Sequence, residues 1–449
     1  MSDRSKRLAD LSPAEKRALL TKLLEHKPSE LMPILDRLGI RVTDLQTEAV
    51  LDPTIDPQGV PAESVGEPMH ILLTGATGFL GAFLLRALLQ QTSARLYCLV
   101  LARDAGEGQQ KIQRTLESYG LWQEGNGARI VPVVGDLSRP LLGQSAGQFH
   151  TLAHTIDTIY HNGAFVNWIY PYQRLKPTNV LGTQEVLKLA SQAKVKPVHF
   201  ISTLAVFPLL ASAATNIVRE PDTLDHGGML YGGYAQSKWV AEKLITVARS
   251  RGIPVCIYRP SLIAGDSHTG AWNTEDILCR MMKSVIELGG APDEEANLNL
   301  APVDYVSRAV VYLSLQRESL GKVFHVANSR TVSWKELVTW LRSLGYPVQL
   351  LPYDTWRARL VDLGRLRDSA AFSLTPLLAL RLSGQAPGML RSMPRFDCQN
   401  TLAGLAGTSI VCPPIDRRMF ETYFSYFIRR GFLNAPPPAE GARPSGLLG

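Results

Sequence analysis

Short apolar runs alternate with longer amphipathic runs from about residue 69 onwards, and this alternation predicts a succession of strands and helices. The first apolar run, Ile71-Leu72-Leu73, is followed by a glycine-rich turn and then by an apolar helix that reaches Leu89. Because strands separated by helices pair in parallel, the pattern predicts an α/β fold with a Rossmann-type, doubly wound sheet. Further strands are expected at residues 95–101, 129–134, 155–160, 198–201 and 255–258, and helices at residues 111–119, 179–193 and 232–251.

The alternation weakens after residue 265, where the pattern predicts a smaller, mixed and mainly helical unit. A helical pair around residues 274–289, a short strand at residues 324–326 and several helices up to residue 432 are expected there. Near the start, Ser12-Pro13-Ala14-Glu15 is a capping box that predicts a helix. The predicted division is a helical appendage (1–44), a connector (45–68), a Rossmann domain (69–265), a C-terminal substrate domain with some chain returning to the Rossmann core (266–433), and a disordered tail (434–449).

The composition is that of an ordinary globular protein, because 45% of the 449 residues are hydrophobic and 19% are charged. No apolar run reaches the roughly 18 residues of a membrane-spanning helix, and the charged N-terminus has no signal-peptide core. The five cysteines are scattered and lack metal-ligand spacing. The net charge of +7 comes without a block of basic residues interleaved with aromatic ones. We therefore expect a cytoplasmic protein that binds no metal, membrane or nucleic acid.

The stretch TGATGFLG at residues 74–81 predicts a cradle for a dinucleotide. Gly75 permits the tight turn, Gly78 lets the backbone approach a pyrophosphate, and Gly81 lets the helix pack closely on the strand. The N-terminus of the following helix offers free N–H groups to the anion. A glycine triplet alone is weak evidence, but a strand before it and a helix after it make nucleotide binding the favoured interpretation.

The end of the second strand, Leu101-Ala102-Arg103-Asp104, bears on which nicotinamide cofactor is bound. NAD enzymes place a carboxylate at this position to hold the ribose hydroxyl, whereas NADP enzymes place a cation there. Arg103 can hold the 2′-phosphate with Lys111 as a helper, which predicts NADPH. The Asp104 carboxylate could instead hold the ribose hydroxyl of NADH, so NADH stays the alternative cofactor.

A tyrosine and a lysine one helical turn apart, Tyr234 and Lys238, form the candidate catalytic pair. An ammonium group beside a phenol lowers the pKa of the phenol, so that the tyrosine can exchange a proton near neutral pH. The hydroxyls of Ser202 and Thr203, at the end of the fifth strand, could bind the same substrate oxygen. The same spacing recurs in residues 172–176, YQRLK, but the prolines that flank this stretch argue against a continuous helix there.

The motifs GATGFLG, GDL, HNGA, NVLGT, ISTLAVF, YAQSK and YRPSLIAGDSHTG together resemble those of the extended short-chain dehydrogenase/reductases. Within that superfamily the chain resembles the terminal thioester reductase domains of nonribosomal peptide and polyketide synthetases and of carboxylic acid reductases. The segments that carry this finer resemblance are LQTEAVLDPTI, EDILCRMMKSVIELG, LAPVDYVSRAVVYLS and TYFSYFIRRGFL, so that it extends from about residue 45 to about residue 433.

The resemblance assigns roles to individual residues. It implies that Thr203 binds the reacting oxygen, that Tyr234 is the proton donor, and that Lys238 activates the tyrosine and binds the ribose. Pro260 and Ser261 correspond to the loop beside the nicotinamide. The other implied cofactor contacts are the phosphate loop (Gly75, Thr77, Gly78, Phe79, Leu80 and Gly81), the adenine side (Asp136 and Leu137) and the wall along the nicotinamide (Asn162, Gly163 and Ala164).

The function implied by the resemblance is NADPH-dependent release of a carrier-bound acyl or peptidyl thioester as an aldehyde, which a second round would convert to an alcohol. The implied partner is a phosphopantetheinyl carrier protein, and the implied state is a monomer. Residues 274–289 and the N-terminal helices are the candidate docking surfaces. Gly265-Asp266-Ser267 looks like a phosphopantetheine acceptor site, but it continues as the reductase loop does. Two alternatives stay open, namely an extended reductase acting on a nucleotide-sugar or another small carbonyl or alcohol, and a module that binds NADP without turnover.

Overall fold

The computed structural model describes residues 44–61, 67–168, 170–208, 217–225, 230, 232–364 and 394–437. The predicted N-terminal helices and most of the predicted tail lie outside these residues. None of the helices in the described ranges is long and apolar enough to cross a membrane.

A parallel sheet forms the centre of the described part of the chain, and its strands run in the order β7-β6-β5-β4-β1-β2-β3. The chain order reverses between β1 and β4, so that a crevice opens at the carboxyl ends of these two strands. This arrangement confirms the predicted Rossmann-type sheet. The strands are β1 His70–Thr74, β2 Arg95–Val100, β3 Ile130–Val134, β4 Thr158–His161, β5 Val198–Ile201, β6 Val255–Pro260 and β7 Val323–Val326.

Helices cover both faces of this sheet, and further helices lie in the described residues beyond it. Their bounds are α1 Leu45–Glu48, α2 Phe79–Gln91, α3 Ala105–Ser118, α4 Ala146–Thr155, α5 Tyr172–Lys176, α6 Gly182–Ser191, α7 Gly233–Ser250, α8 Ile277–Leu288, α9 Val303–Ser314, α10 Trp334–Ser343, α11 Tyr353–Gly364, α12 Gln399–Leu405 and α13 Arg417–Arg429. Short strand pairs outside the central sheet join Ile217–Val218 to Arg395–Phe396, Leu262–Ala264 to Leu300–Pro302, Gly290–Pro292 to Gln349–Leu351, and Asn297–Leu298 to Val332–Ser333.

Three apolar clusters hold these layers together. On one face of the sheet α2 packs against α9, and their buried side chains include Leu84 and Val306. On the other face α6 and α7 bury Leu187 and Trp239. The third cluster lies in the chain after residue 263 and is dominated by the aromatic side chains Trp272, Trp334, Trp356, Phe420, Phe424 and Phe427.

Two expectations for the second half of the chain need adjustment. The strand expected at residues 324–326 belongs to the central sheet, because β7 pairs in parallel with β6 and Val323 lies opposite Ile257. The helical pair expected at residues 274–289 is the single helix α8. Asp276 caps its start by accepting a hydrogen bond from the Leu278 amide, and Gly289 ends it in a left-handed conformation.

The expectation that prolines prevent a helix at residues 172–176 is wrong. Pro171 occupies the N-cap of α5, where a backbone N–H is not needed. Pro177 begins a π turn, Pro177–Leu181, and this turn leads directly into α6. A π turn interrupts the regular hydrogen-bond ladder and so accommodates a proline that a regular helix would exclude. The stretch is therefore helical from Tyr172 to Ser191.

Residues 44–57, most of them predicted as connector, pack firmly against the Rossmann core. Leu45, Leu51 and Ile55 are each at most 3% exposed. The Glu48 carboxylate accepts hydrogen bonds from the Tyr172 hydroxyl and the Lys176 ammonium, at 2.8 and 2.6 Å, and these bonds lower the pKa of Glu48 against the opposing effect of burial. The second tyrosine–lysine pair thus anchors this segment. The Arg251 guanidinium, at the end of α7, donates hydrogen bonds to the carbonyls of Leu51, Asp52 and Ile55 at 2.8 to 3.2 Å.

Replacement of Arg251 tests this attachment. We expect Arg251→Ala to lower the free energy of unfolding by about 1–3 kcal/mol, because three backbone carbonyls lose a charged donor. Limited proteolysis should cut within residues 44–61 earlier than in the wild type. Arg249→Ala is the matched control, since Arg249 donates one bond to the Gly321 carbonyl and lies outside this attachment. Equal urea denaturation curves for Arg251→Ala and the wild type would contradict the prediction.

Candidate active site

The predicted phosphate loop lies between the end of β1 and the start of α2, and its glycines are required by close backbone contacts. Gly75 has a φ of +74°, and a Cβ there would lie 2.7 Å from the Gly163 Cα atom. A Cβ on Gly81 would lie 1.9 Å from the Gly75 carbonyl oxygen, so the first turn of α2 rests directly on the loop. Gly78 is the N-cap of α2 and supplies no side-chain acceptor to the first-turn N–H groups. The loop therefore offers a narrow cradle with free donors that an anion fits.

The other residues of the predicted phosphate loop differ in how exposed their side chains are. Thr77 is exposed, whereas Phe79 and Leu80 are half-buried. The Phe79 ring packs on Phe83 and Tyr119, with ring centroids 5.5 and 5.2 Å apart. Any contribution of Phe79 to a phosphate would therefore come from its backbone N–H.

A chain of hydrogen bonds fixes the predicted nicotinamide wall after β4. The Gly163 amide donates to the Thr74 hydroxyl at 2.8 Å, and that hydroxyl bonds His161 Nδ1 at 2.9 Å. On its other side His161 Nε2 bonds the Thr183 hydroxyl at 3.0 Å. Burial lowers the pKa of His161 to about 3, so this ring is a neutral structural link.

Asn162 and Ala164 complete this wall on either side of Gly163. Asn162 Nδ2 donates to the Gly75 carbonyl at 3.3 Å and ties the wall to the phosphate loop. Ala164 is half-buried at the crevice. The residues predicted to form the nicotinamide wall and those predicted to form the phosphate loop are thus in direct contact.

The predicted adenine-side residues follow β3. Leu137 lies against Gly163, because a Cβ on that glycine would be 2.5 Å from the Leu137 Cδ1 atom. Asp136 accepts hydrogen bonds from the Ser138 amide and hydroxyl, and it pairs with Arg139 at 3.6 Å. Its side chain is therefore held in a local turn at the edge of the crevice.

Arg103 and Lys111, the residues predicted to select the cofactor at the end of β2, share one carboxylate. The Arg103 amide and its Nε atom both donate hydrogen bonds to Glu107 Oε2, and the Lys111 ammonium forms an ion pair with Glu107 Oε1 at 3.1 Å. These bonds, led by the Arg103 amide, lower the pKa of Glu107 to about 2. Lys111 Nζ also donates to the Leu101 carbonyl at 2.8 Å. The Asp104 carboxylate caps α3 by accepting from the Glu107 amide at 2.8 Å through one of its two oxygens.

The structure brings the candidate catalytic residues to the ends of β5 and α7. Lys238 is 4% exposed, donates to the Ile201 carbonyl at 2.7 Å, and lies 4.2 Å from the centroid of the Phe200 ring. Burial lowers its pKa to about 7, against the opposing charge of Glu242. Tyr234 begins the same helix face one turn earlier, and Lys238 is bonded to the strand that leads to Thr203.

Tyr234 and Thr203 keep polar groups at the crevice. The Tyr234 ring makes an edge contact with Trp168, at 5.1 Å between centroids, and burial raises the pKa of its phenol. The Thr203 side chain accepts from the Ala205 amide at 3.2 Å and remains half-buried. Within the described ranges, neither hydroxyl bonds the other or Lys238, so both are free to receive a substrate oxygen. Ser202, the other hydroxyl considered from the sequence, is instead bound to the Glu242 carboxylate.

Pro260 and Ser261 lie at the end of β6, as the sequence predicts. Pro260 is buried at the last position of the strand, and the Ser261 amide donates to the Val326 carbonyl at 3.1 Å. The Ser261 hydroxyl is buried without a hydrogen-bond partner in the described part of the protein. Buried hydroxyls are nearly always satisfied, so this atom suits a polar ligand group such as the nicotinamide amide. Together with the glycine cradle, it indicates that the residues present fit a dinucleotide.

Comparison with known proteins agrees with this geometry. A family model described as Male sterility protein, NAD_binding_4, matches residues 73–310, which is more than half of the chain. The chain belongs to this family. Members bind NAD(P), and the matched residues include the whole crevice described above.

Solved structures extend the likeness beyond the part covered by the family model. The terminal R domain from the myxalamid PKS-NRPS biosynthetic pathway has a TM-score of 0.83 and 44% identity, over 88% of this chain and 100% of that one. The reductase domain of a nonribosomal peptide synthetase from Mycobacterium tuberculosis has a TM-score of 0.69 and 25% identity, over 87% and 99% of the two chains. A linear gramicidin synthase of Brevibacillus parabrevis is 40% identical over 92% of this chain, but the chain spans only 8% of that synthase. The resemblance to terminal reductase domains is thus confirmed.

One suspected motif in this family member is structural. Ser267, in the stretch that resembles a phosphopantetheine acceptor, donates its hydroxyl to Asp304 at 2.8 Å. Asp266 accepts from the amides of His268 and Thr269, which closes a local turn. The stretch is therefore a folded loop of the reductase.

Two buried residues of the site were missed by sequence reasoning. Asn179, in the π turn, accepts from the Phe165 amide at 2.7 Å and donates to the Ser237 hydroxyl at 2.9 Å, which joins the nicotinamide-side loop to α7. Glu242 binds the end of β5. The motif NVLGT contains Asn179 and could have drawn attention to it, whereas nothing in the sequence alone distinguishes Glu242 from a surface glutamate.

Replacement of Gly81 tests the cradle. Gly81→Ala places a methyl group into the Gly75 carbonyl and forces the loop to move, so we expect NADPH to bind at least about tenfold more weakly. Fluorescence titration with NADPH measures this change. Gly147→Ala is the control, because a Cβ at Gly147 in α4 meets no atom within 4 Å and should leave the affinity unchanged. Wild-type affinity in Gly81→Ala would show that the nucleotide binds elsewhere.

Proposed function

We propose that this chain reduces an acyl or peptidyl thioester, delivered by a phosphopantetheinyl carrier, and releases an aldehyde. The observation that carries the proposal is the position of Thr203, Tyr234 and Lys238 at the same crevice as the dinucleotide cradle. The likeness to the myxalamid terminal R domain over its whole length supports the choice of a thioester as substrate.

The chemistry follows from what the crevice residues can do. NADPH, when bound, supplies the hydride that adds to the carbonyl carbon of the thioester. The Thr203 and Tyr234 hydroxyls donate hydrogen bonds to the carbonyl oxygen as negative charge develops on it. Tyr234 then gives its proton to that oxygen. Because burial raises the pKa of the phenol, against the lowering expected from the sequence, the transfer depends on the positive charge of Lys238 to stabilise the phenolate. When the hemithioacetal collapses, its hydroxyl proton passes to the leaving thiolate as the C–S bond breaks, which leaves the aldehyde and the carrier thiol. Solvent then returns a proton to the Tyr234 phenolate.

Lys238 has two tasks in this scheme. Its ammonium would bind the ribose hydroxyls of the bound cofactor. Its charge also stabilises the phenolate that Tyr234 becomes after it has donated its proton. A pKa of about 7 allows the lysine to be charged at and below neutral pH.

NADPH is the proposed cofactor because the end of β2 offers cations to a 2′-phosphate. Arg103 is highly exposed and attached to a single carboxylate, so it can turn towards a phosphate group. Asp104 uses one carboxylate oxygen to cap α3. We further propose that the protein acts as a cytoplasmic monomer that receives its substrate from a carrier domain, with α8 as a candidate docking helix.

A nucleotide-sugar or another small carbonyl or alcohol substrate is the alternative on the same scaffold. Epimerases and dehydratases of this kind retain NAD through their catalytic cycle. Denaturation of the purified protein and chromatography of the released small molecules would distinguish the two functions, because a thioester reductase exchanges its cofactor at each turnover.

Replacement of the proposed proton donor tests the function. The purified protein is mixed with NADPH and acyl-pantetheine thioesters, NADPH loss is followed, and the product is identified by mass spectrometry. We expect aldehyde formation by the wild type and a rate lower by about 10²–10⁴-fold in Tyr234→Phe. Tyr172→Phe is the matched control, because Tyr172 has the same spacing to a lysine but binds Glu48. NADPH binding without thioester-dependent consumption would contradict the proposal.

Replacement of Arg103 tests the cofactor. We expect Arg103→Ala to weaken NADPH binding roughly tenfold and to leave NADH binding unchanged, since only NADPH carries the 2′-phosphate. Arg114→Ala, which replaces an exposed arginine on the following helix α3, is the control. An equal loss for both cofactors would show that Arg103 acts on the loop and has no part in the selection.

A further inference from the structure

Glu242 lies on α7 one turn after Lys238 and two turns after Tyr234, on the same face of the helix. Its side chain is 1% exposed, and both carboxylate oxygens are engaged. One oxygen accepts a hydrogen bond from the Ser202 hydroxyl. The other accepts from Arg259 Nε at 2.9 Å and from Arg259 Nη2 at 2.5 Å. The carboxylate thus joins α7 to the ends of both β5 and β6.

Arg259 extends the network towards the C-terminal part of the chain. Its Nη1 atom contacts the Glu220 carbonyl at 3.3 Å and His325 Nε2 at 3.1 Å. His325 Nδ1 bonds the Asp397 carbonyl at 2.7 Å, which requires the proton on Nδ1 and leaves Nε2 as an acceptor for the arginine. Burial lowers the pKa of His325 to about 3, so the ring is neutral. The arginine charge is therefore balanced by Glu242.

The position of this ion pair matters more than its contribution to stability. Burying two charges removes their hydration, and such pairs often stabilise a fold no better than apolar side chains of similar size. The same pairs can instead fix one geometry, because a displaced partner would leave a buried charge unpaired. Here the geometry that is fixed is the end of β5.

Three consecutive residues at that end carry the active-site geometry. The Ile201 carbonyl accepts a hydrogen bond from the Lys238 ammonium, and the Ser202 hydroxyl donates one to the Glu242 carboxylate. Thr203 follows directly, with its hydroxyl at the crevice. The strand end is thereby attached to α7 at two successive residues, on either side of one peptide bond. We infer that Glu242 is a positioning residue for the reduction, which acts through Ser202 to place Thr203 and the Lys238 acceptor relative to Tyr234. This inference rests on the proposed function.

The negative charge of Glu242 also acts on the pKa of Lys238. The groups that face the lysine from the packed elements are His161 on β4, Tyr234 and Glu242 on α7, and Arg259 on β6 behind Glu242. His161 is neutral, and the negative charge of Glu242 raises the pKa of Lys238 against the larger effect of burial. Removal of that charge should therefore make Lys238 lose its proton at a lower pH.

Glu242→Gln tests both the placement of Thr203 and the effect of the Glu242 charge on the pKa of Lys238. Ser202→Ala separates these two effects. For Glu242→Gln we expect kcat to fall about tenfold or more with a smaller change in KM. The affinity for NADPH alone, titrated across pH 5–9 without a thioester, should be lost at a pH lower by about one unit than in the wild type. Ser202→Ala keeps the charge, so kcat should fall while the pH dependence of NADPH binding stays in place.

Glu220→Gln is the matched control for a merely structural effect. The Glu220 carboxylate is buried in the same network, but it binds the amides of His325, Asn400 and Thr401 and the Thr401 hydroxyl, away from α7. Its replacement should lower thermal stability and leave kcat and the pH dependence within about twofold and half a unit of the wild type.

The inference is overturned if Glu242→Gln retains the wild-type kcat and pH dependence, or if Glu220→Gln reproduces its effects. Should Glu242→Gln not fold, Ser202→Ala decides, because an unchanged kcat there removes the link to Thr203. A wild-type protein that binds NADPH but reduces no thioester refutes the proposed function instead. In that case the pH dependence of NADPH binding in Glu242→Gln still tests the charge on Lys238.

Discussion

Burial of the Lys238 ammonium is the constraint on which the rest of the active site depends. A charged group that loses its hydration is unfavourable, and burial accordingly lowers the pKa of Lys238 to about 7. Three neighbours offset it, namely the Ile201 carbonyl at 2.7 Å, the face of the Phe200 ring at 4.2 Å and the charge of Glu242. All three belong to β5 or α7. The pairing of this strand with this helix therefore decides where an activating lysine can exist, and Thr203 and Tyr234 take their places from the same two elements.

Close backbone approach is the second constraint, and it joins the nucleotide cradle to the catalytic residues. The phosphate loop contacts the wall after β4 because Gly75 and Gly163 both lack side chains. The loop after β6 contacts the C-terminal aromatic cluster in the same way, since a Cβ on Gly265 would lie 2.9 Å from the Tyr423 ring, whose hydroxyl donates to the Gly265 carbonyl. The crevice is thus attached both to the sheet and to the later part of the chain.

Sequence reasoning predicted the features that depend on local pattern. The strands of the sheet and the glycine loop are readable because periodicity and turn chemistry act over a few residues. The helix at residues 172–176 was missed because the effect of Pro177 depends on a π turn, and the local sequence does not predict such a turn. The C-terminal unit was expected to return some chain to the Rossmann core, but the pairing of the seventh strand with β6 could not be predicted, since β6 lies far away in the chain. The Ser202–Glu242–Arg259 contacts were missed for the same reason. Burial of a glutamate becomes visible only when three separate elements are brought together.

The two tyrosine–lysine pairs show why spacing alone could not assign the site. Both pairs lie one turn apart on a helix, and both helices form in the structure. Tyr172 and Lys176 converge on the Glu48 carboxylate, and burial together with that carboxylate raises the pKa of the Tyr172 phenol. The charge of Lys176 is thereby neutralised by Glu48. Lys238 instead binds a neutral carbonyl, so its charge remains available to the adjacent phenol and to a ribose. The chemical difference between the pairs therefore lies in the acceptor that each lysine meets, and β5 supplies that acceptor for Lys238.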